Sequence, residues 1–172
     1  FVYNGAGMES WLDQVLQTVG NKKDLIKIDS SNGVNLINTE GEEHHHEEGE
    51  EEDHNHGEFD PHIWLSLIEA KQQSLNIKEA LIGIDEENKD YYEENYNTFT
   101  GKLDDLYGEY KEKFDTVSNR YFITGHEAFG YLCRDFNLTQ KAIAGLRAEG
   151  EPTPQALKEL IELAEENDIK VV

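Results

Sequence analysis

The stretch from His44 to His56 reads HHHEEGEEEDHNH and is followed almost at once by Asp60-Pro61-His62. Five of the seven histidines, His44, His45, His46, His54 and His56, fall inside it. Imidazoles are the usual protein ligands for borderline metals such as zinc, and their crowding with carboxylates marks a segment that collects cations rather than one that packs. The other two histidines stand apart. Pro61 restrains Asp60 to extended geometry, and Trp64 and Leu65 are expected to anchor the segment in the core. A histidine held between Pro61 and Trp64 loses little entropy on binding. On spacing alone, a metal ligand and a plain turn histidine are level readings for His62. His126, in Tyr121-Phe122-Ile123-Thr124-Gly125-His126-Glu127, is expected just past the end of a strand and at the start of a helix. Ligands of parallel sheets bind at that edge, which favours ligation over capping or packing.

Other chemistries find less support. A zinc protease of the His-Glu-x-x-His type needs a second histidine at position 130, which is Gly. No nucleophile elbow, P-loop or dinucleotide fingerprint is present, and Gly5-Ala6-Gly7 followed by Ser10 is too weak a match for one. Cys133 is the only cysteine, so neither an intrachain disulfide nor a Cys-rich zinc site can form. Glu127, Glu149 and Glu151 read as surface carboxylates or as groups that orient a metal ligand from behind, as does Asp60.

The net charge is −22, and about half of that excess comes from residues 40–60, which hold no Lys or Arg. Binding a phosphate backbone needs Lys and Arg to displace its counterions, so nucleic acid and anionic membrane are poor partners for this surface. Cations are natural ones. With 172 residues, 37% of them hydrophobic, the chain can bury a core of one domain or two small lobes.

The elements that must position these histidines can be read from periodicity. Phe1 to Tyr3 suits a buried strand, and Gly5 and Gly7 turn the chain into a helix over about 8–19, with Met8, Trp11, Leu12, Val15, Leu16 and Val19 as its apolar stripe. Leu25 to Ile28 reads as a strand, and 29–59 as a long mobile loop. Residues 66–83 form a helix with Ala70, Ser74, Ile77, Leu81 and Ile84 on one face. From Glu86 to Val117, Tyr92, Tyr96, Phe99, Leu103, Leu106 and Tyr110 recur at spacings of four and three, predicting one helix roughly 45 Å long. It suits a spine along two lobes better than a coiled-coil seam. Strand, helix, strand, helix, strand then follow at 121–124, 127–136, 141–144, 153–167 and 169–172, the alternation of a parallel sheet. Thr153 is placed to cap the last helix, with Pro154 at its first position and Leu157, Leu160, Ile161 and Ala164 inside. The apolar runs at Phe1-Val2-Tyr3 and Ile169-Lys170-Val171-Val172 lead us to expect a chain cut from something longer at both ends. No signal peptide or membrane-spanning run is read here, which leaves export open.

Four segments carry a resemblance: Asn4-Gly5-Ala6-Gly7-Met8-Glu9-Ser10-Trp11, Asp60-Pro61-His62-Ile63-Trp64-Leu65, Thr124 to Leu132, and Glu149-Gly150-Glu151-Pro152-Thr153-Pro154. In order and spacing the chain resembles the zinc-specific solute-binding proteins of ABC transporters, the ZnuA and AdcA group. The resemblance implies an α/β fold of two lobes with parallel sheets joined by a long rigid helix, both lobes incomplete here. Residues 1–85 would belong to the N-terminal metal-binding lobe with its His-rich acidic loop at 40–60, 86–117 to the linking helix, and 118–172 to the C-terminal lobe. His62 and His126 would be Zn2+ ligands from the first and second lobes, with the loop histidines accessory at the mouth of the cleft. The resemblance further implies a ligand histidine upstream of this chain and an acidic ligand beyond it. Manganese-binding relatives resemble this pattern with a carboxylate at the place of His126, where a nitrogen favours zinc. An extracytoplasmic, non-enzymatic, monomeric receptor serving a membrane permease is what it implies, the signal segment not being in this chain.

Two other readings compete. In one, the chain is a zinc buffer or chaperone that binds only through the His-rich loop, or a manganese-binding relative. In the other, ranked last, Glu127 is the general base of a zinc hydrolase.

Overall fold

The computed structural model describes residues 1–19, 25–39, 58–146 and 153–169. In chain order its elements are β1 (Val2–Tyr3), α1 (Leu12–Val19), β2 (Ile28–Asp29), α2 (Leu67–Ile84), α3 (Lys89–Thr116), β3 (Tyr121–His126), α4 (Gly130–Phe136), β4 (Thr139–Ala144) and α5 (Pro154–Glu166). β1 pairs with β2 and β3 with β4, both parallel. The expected α/β fold, with parallel sheets before and after one long helix, is therefore observed.

α1 starts at Leu12, four residues later than its apolar stripe suggests. Gly5, Ala6 and Gly7 all have positive φ, of 82°, 52° and 79°, a geometry that cannot lead into a helix. A Cβ on Gly5 would collide with the side chains of Asp29 and Ser31, so the first of these glycines is required by space as well as by φ. Glu9 closes this loop by accepting the Asn4 and Gly5 N–H groups at 2.7 and 3.1 Å. Met8 and Trp11 fall outside the helix and are exposed, whereas Leu12, Val15 and Leu16 are half-buried.

The polar stretch after β2 is not a uniform loop. Ser30 is buried, Asn38 bridges antiparallel to Phe59, and the Asp60 N–H donates to Ile37 O at 2.9 Å. Side-chain amides of α2 hold this segment: Gln73 Nε2 donates to Asn4 Oδ1 and Ser30 Oγ, both at 3.0 Å, and Asn76 Nδ2 donates to Ser30 O and Asn32 O. Hydropathy shows no period there because the packing is made by hydrogen bonds. Residues 40–57 lie outside the described residues.

Ser66 caps α2 by accepting the Glu69 N–H at 3.0 Å. The expected face, with Ser74, Ile77 and Leu81, lines a groove with Tyr92 and Tyr96 of α3, while Glu69 and Gln73 on the other side are the buried residues and Ile84 is exposed. α3 is 28 residues, about 42 Å, and a 3₁₀ turn over Glu86–Asn88 precedes it. Its stripe departs from expectation from Phe99 onward. Phe99, Leu106 and Tyr110 are exposed, and Tyr107 and Phe114 instead pack on Phe136 of α4, with ring centroids 5.3 and 5.1 Å apart. The helix meets α2 with its first part, through Tyr92 and Tyr96, and α4 with its second, through Tyr107 and Phe114.

Thr153 caps α5 by accepting the Ala156 N–H at 3.1 Å, with Pro154 following as expected. Leu157 and Ile161 are exposed, however, and Ala156, Leu160, Leu163 and Ala164 form its half-buried side. Ile169 closes α5 through its N–H to Ala164 O at 2.9 Å; the rest of the strand expected at 169–172 lies outside the described residues. The buried apolar residues Ile28, Ile63, Ala128, Tyr131, Cys133 and Phe136 centre the core on the turn before α2 and on α4.

Candidate metal centre

His62 opens the 3₁₀ turn Ile63–Leu65, with its carbonyl accepting the Leu65 N–H at 3.1 Å. Ile63, fully buried, anchors this turn; of the two expected anchors, Leu65 is half-buried, whereas Trp64 is 42% exposed and lies beside the His62 ring at 5.4 Å between centroids. The turn aims Ile63 inward and leaves Trp64 at the surface. Asp60 is buried and its Oδ1 does two things: it accepts the His62 backbone N–H at 2.9 Å and contacts His62 Nδ1 at 2.8 Å. With Nδ1 paired to a carboxylate, Nε2 is the nitrogen left to bind an ion.

His126 is the last residue of β3 rather than the first of a helix, and α4 begins four residues later. It stands opposite Ala144 in the parallel register. Three donors converge on its carbonyl oxygen: Thr124 Oγ1 at 2.7 Å, Gln140 Nε2 at 3.1 Å and the Ala128 N–H at 3.0 Å. Gln140 also donates to Thr124 Oγ1 at 2.8 Å and accepts the Phe129 N–H at 3.0 Å, so one side chain of β4 shapes the whole turn that carries His126. Glu127, in the same turn, is half-buried.

The fold brings the two isolated histidines together. Their ring centroids are 5.6 Å apart at an interplanar angle of 63°. Two imidazoles sharing a tetrahedral zinc at about 2.0–2.1 Å per nitrogen place their ring centres roughly 5 Å apart, close to the separation observed. Two nitrogens are half of the usual four ligands, and among the described residues no group of three or more His, Cys, Asp or Glu side chains converges. The accessory candidates His44, His45, His46, His54 and His56, like Glu149 and Glu151, lie outside the described residues.

Sequence reasoning gave no role to three residues that build this centre. Tyr131, fully buried on α4, donates its hydroxyl to Asp60 O at 2.6 Å and accepts the Ile37 N–H at 3.1 Å. Burial raises its pKa to about 12. Asn4 Nδ2 donates to Pro61 O at 2.9 Å. Gln140 is the third. Asn4 and Tyr131 lie inside the segments that carry the resemblance, a signal that could have marked them; Gln140 had none. Arg134 completes the surroundings: its guanidinium lies 5.1 Å from the Tyr131 ring centre and donates to Glu69 Oε1 and Asn35 O, both at 2.7 Å.

The chain is 40% identical to the high-affinity zinc uptake system protein ZnuA of Bacillus subtilis (strain 168), covering all of this chain and 53% of that protein. It is 37% identical to a putative metal-binding protein of Treponema pallidum (strain Nichols), covering 99% of this chain and 54% of the relative. Against the zinc-binding lipoprotein AdcA of Streptococcus pneumoniae R6 it is 34% identical, with 100% and 34% covered. The chain thus spans about half the length of the first two relatives and less of the third. Among solved structures, the AdcAII protein of Streptococcus pneumoniae superposes with a TM-score of 0.80 at 29% identity, over 99% of this chain and 58% of that one. A ZnuA crystal structure does so with a TM-score of 0.77 at 32% identity, over 97% and 58%. Residues 1–172, the whole chain, match the family described as zinc-uptake complex component A, periplasmic, and the chain belongs to that family.

Proposed function

We propose that this chain is part of an extracytoplasmic receptor that captures Zn2+ between two lobes and delivers it to the permease of an ABC importer. In this reading residues 1–85 contribute to the first lobe, 86–117 form the linking helix and 118–172 contribute to the second lobe. His62 is the ligand from one side and His126 from the other, with Asp60 orienting His62 and Glu127 near His126. The observation that carries the reading is the approach of these two imidazoles to 5.6 Å, with a buried carboxylate behind one of them.

Capture and release require no bond-making chemistry, so the proposed role is not enzymatic. Neutral nitrogens favour zinc over manganese. Support for the cargo and the compartment comes from the relatives: one is named a zinc uptake protein, another a zinc-binding lipoprotein, and a Zn(II)-bound AdcAII variant superposes with a TM-score of 0.81. The charge of −22 suits a cation partner and disfavours nucleic acid. Among the described residues no helix is long and apolar enough to cross a membrane.

Zinc titration of a variant lacking residues 42–57, with and without His62→Ala or His126→Ala, tests the assignment. One tight site should survive the deletion and be lost with either histidine. Loss of all binding on deletion would instead favour a buffer that works through the loop alone.

A further inference from the structure

The main-chain oxygens of Asp60 and Pro61 are both held by side chains, one from a residue that precedes them in the chain and one from a residue that follows. Pro61 O accepts from Asn4 Nδ2, and Asp60 O accepts from the Tyr131 hydroxyl. Tyr131 sits in the first turn of α4, the helix that follows the His126 turn. Its hydroxyl also receives the Ile37 N–H, and its ring is seated against Arg134, which is fastened to Glu69 and Asn35. Gly130, one residue earlier, lets α4 come this close: a Cβ there would lie 3.0 Å from Asp60 Oδ2.

We infer that Tyr131 is a positioning residue for the metal pair, tying the segment that bears His62 to the element that follows His126. The inference rests on the His62–His126 reading proposed above. Ser66 Oγ bonded to Asp135 and Arg134 bonded to Glu69 also join α4 to the segment after His62, but Tyr131 alone reaches the main chain at Asp60, and without it that chain would have to be ordered when an ion binds. With it, their spacing is set before the ion arrives, and that ordering cost is already met in the folded chain. The link runs through one hydroxyl that donates and accepts at once. Tyr131→Phe therefore keeps the ring packing while leaving the buried Asp60 C=O and the part-buried Ile37 N–H short of a partner.

The test is the zinc affinity of the 172-residue chain, measured in competition with a chelator so that only the tight site registers, together with the thermal midpoint. Four proteins are compared: wild type, Tyr131→Phe, His62→Ala and Tyr92→Phe. Tyr92→Phe makes the same chemical change far from the site, where the hydroxyl donates to Asp85 Oδ2 at 2.7 Å. At a temperature where each variant is folded, Tyr131→Phe should weaken zinc binding about tenfold, the low end for groups that orient metal ligands. Its cobalt(II) complex should show altered visible bands, and Tyr92→Phe should bind as wild type. A Tyr131→Phe protein with a lowered midpoint but wild-type affinity and cobalt spectrum, alongside a His62→Ala protein that has lost the site, would overturn the positioning role alone. Wild-type affinity in His62→Ala would overturn the metal site and the positioning role with it. If Tyr131→Phe fails to fold, Arg134→Lys, which keeps the charge but loses the planar fork seating the ring, is judged by the same criterion.

Discussion

Asp60 Oδ1 holds both the backbone N–H and the ring Nδ1 of His62, at 2.9 and 2.8 Å. One carboxylate oxygen thereby fixes the chain and the tautomer of the residue that follows its neighbour. Asp60→Asn should lower zinc affinity by about 10–100-fold, the usual loss when the group behind a metal-bound histidine is changed. Asn can present an N–H where the ring needs an acceptor, and calorimetric titration of the variant reads the difference.

Ile63 and Trp64 are neighbours with opposite fates, one fully buried and the other 42% exposed. Ile63→Ala should cost about 2–5 kcal/mol by lost burial and the cavity left behind, whereas Trp64→Ala should cost much less. Urea denaturation of the two variants distinguishes them. Equal losses would mean that Trp64 anchors the turn after all.

Gly101 and Gly108 lie within α3, and a Cβ at either would meet nothing within 4 Å. Gly101→Ala and Gly108→Ala should each stabilise the chain by about 0.5–1 kcal/mol, because alanine has less backbone entropy to lose on entering a helix. The denaturation midpoint should rise in both and zinc affinity stay unchanged.

Burial pushes the Tyr131 hydroxyl up to about 12 and the Cys133 thiol up to about 11. For both groups the folded chain holds its proton more tightly than the unfolded chain does. Their contribution to stability is complete below the unfolded values, about 8.5 for Cys and 10 for Tyr, and is lost as the pH rises through 11 and 12. Urea midpoints measured at rising alkaline pH should therefore fall, and Cys133→Ala should remove the part that begins near the thiol's unfolded value. Cys133 should also react slowly with thiol reagents at pH 8 until the chain is unfolded.

Element type is legible along most of this chain, and the faces of the elements are less so. The β3–α4–β4 alternation and the Thr153-Pro154 helix start follow directly from strand-forming residues and capping chemistry. α3 shows why faces are harder: Leu106 and Tyr110 continue the period set by Tyr92 and Tyr96, yet Tyr107 and Phe114 make the contacts. A helix that meets one partner with its first half and another with its second turns its buried stripe, and no single period describes that. Segment 29–39 carries almost no hydropathy signal because hydrogen bonds donated by Gln73 and Asn76, and one accepted by the Tyr131 hydroxyl, hold it. His62 and His126 could be picked out from residue type and placement, and Asp60 from its adjacency. Gln140 could not be, because it acts on main-chain oxygens, and any polar side chain that reached them in space would serve.

Anomalous scattering at the zinc edge, from crystals of the chain grown with zinc, tests the central claim most directly. An ion bonded to Nε2 of His62 and to a ring nitrogen of His126 is the expected result. Zinc found only on the histidines between 44 and 56, with none shared by His62 and His126, would contradict it.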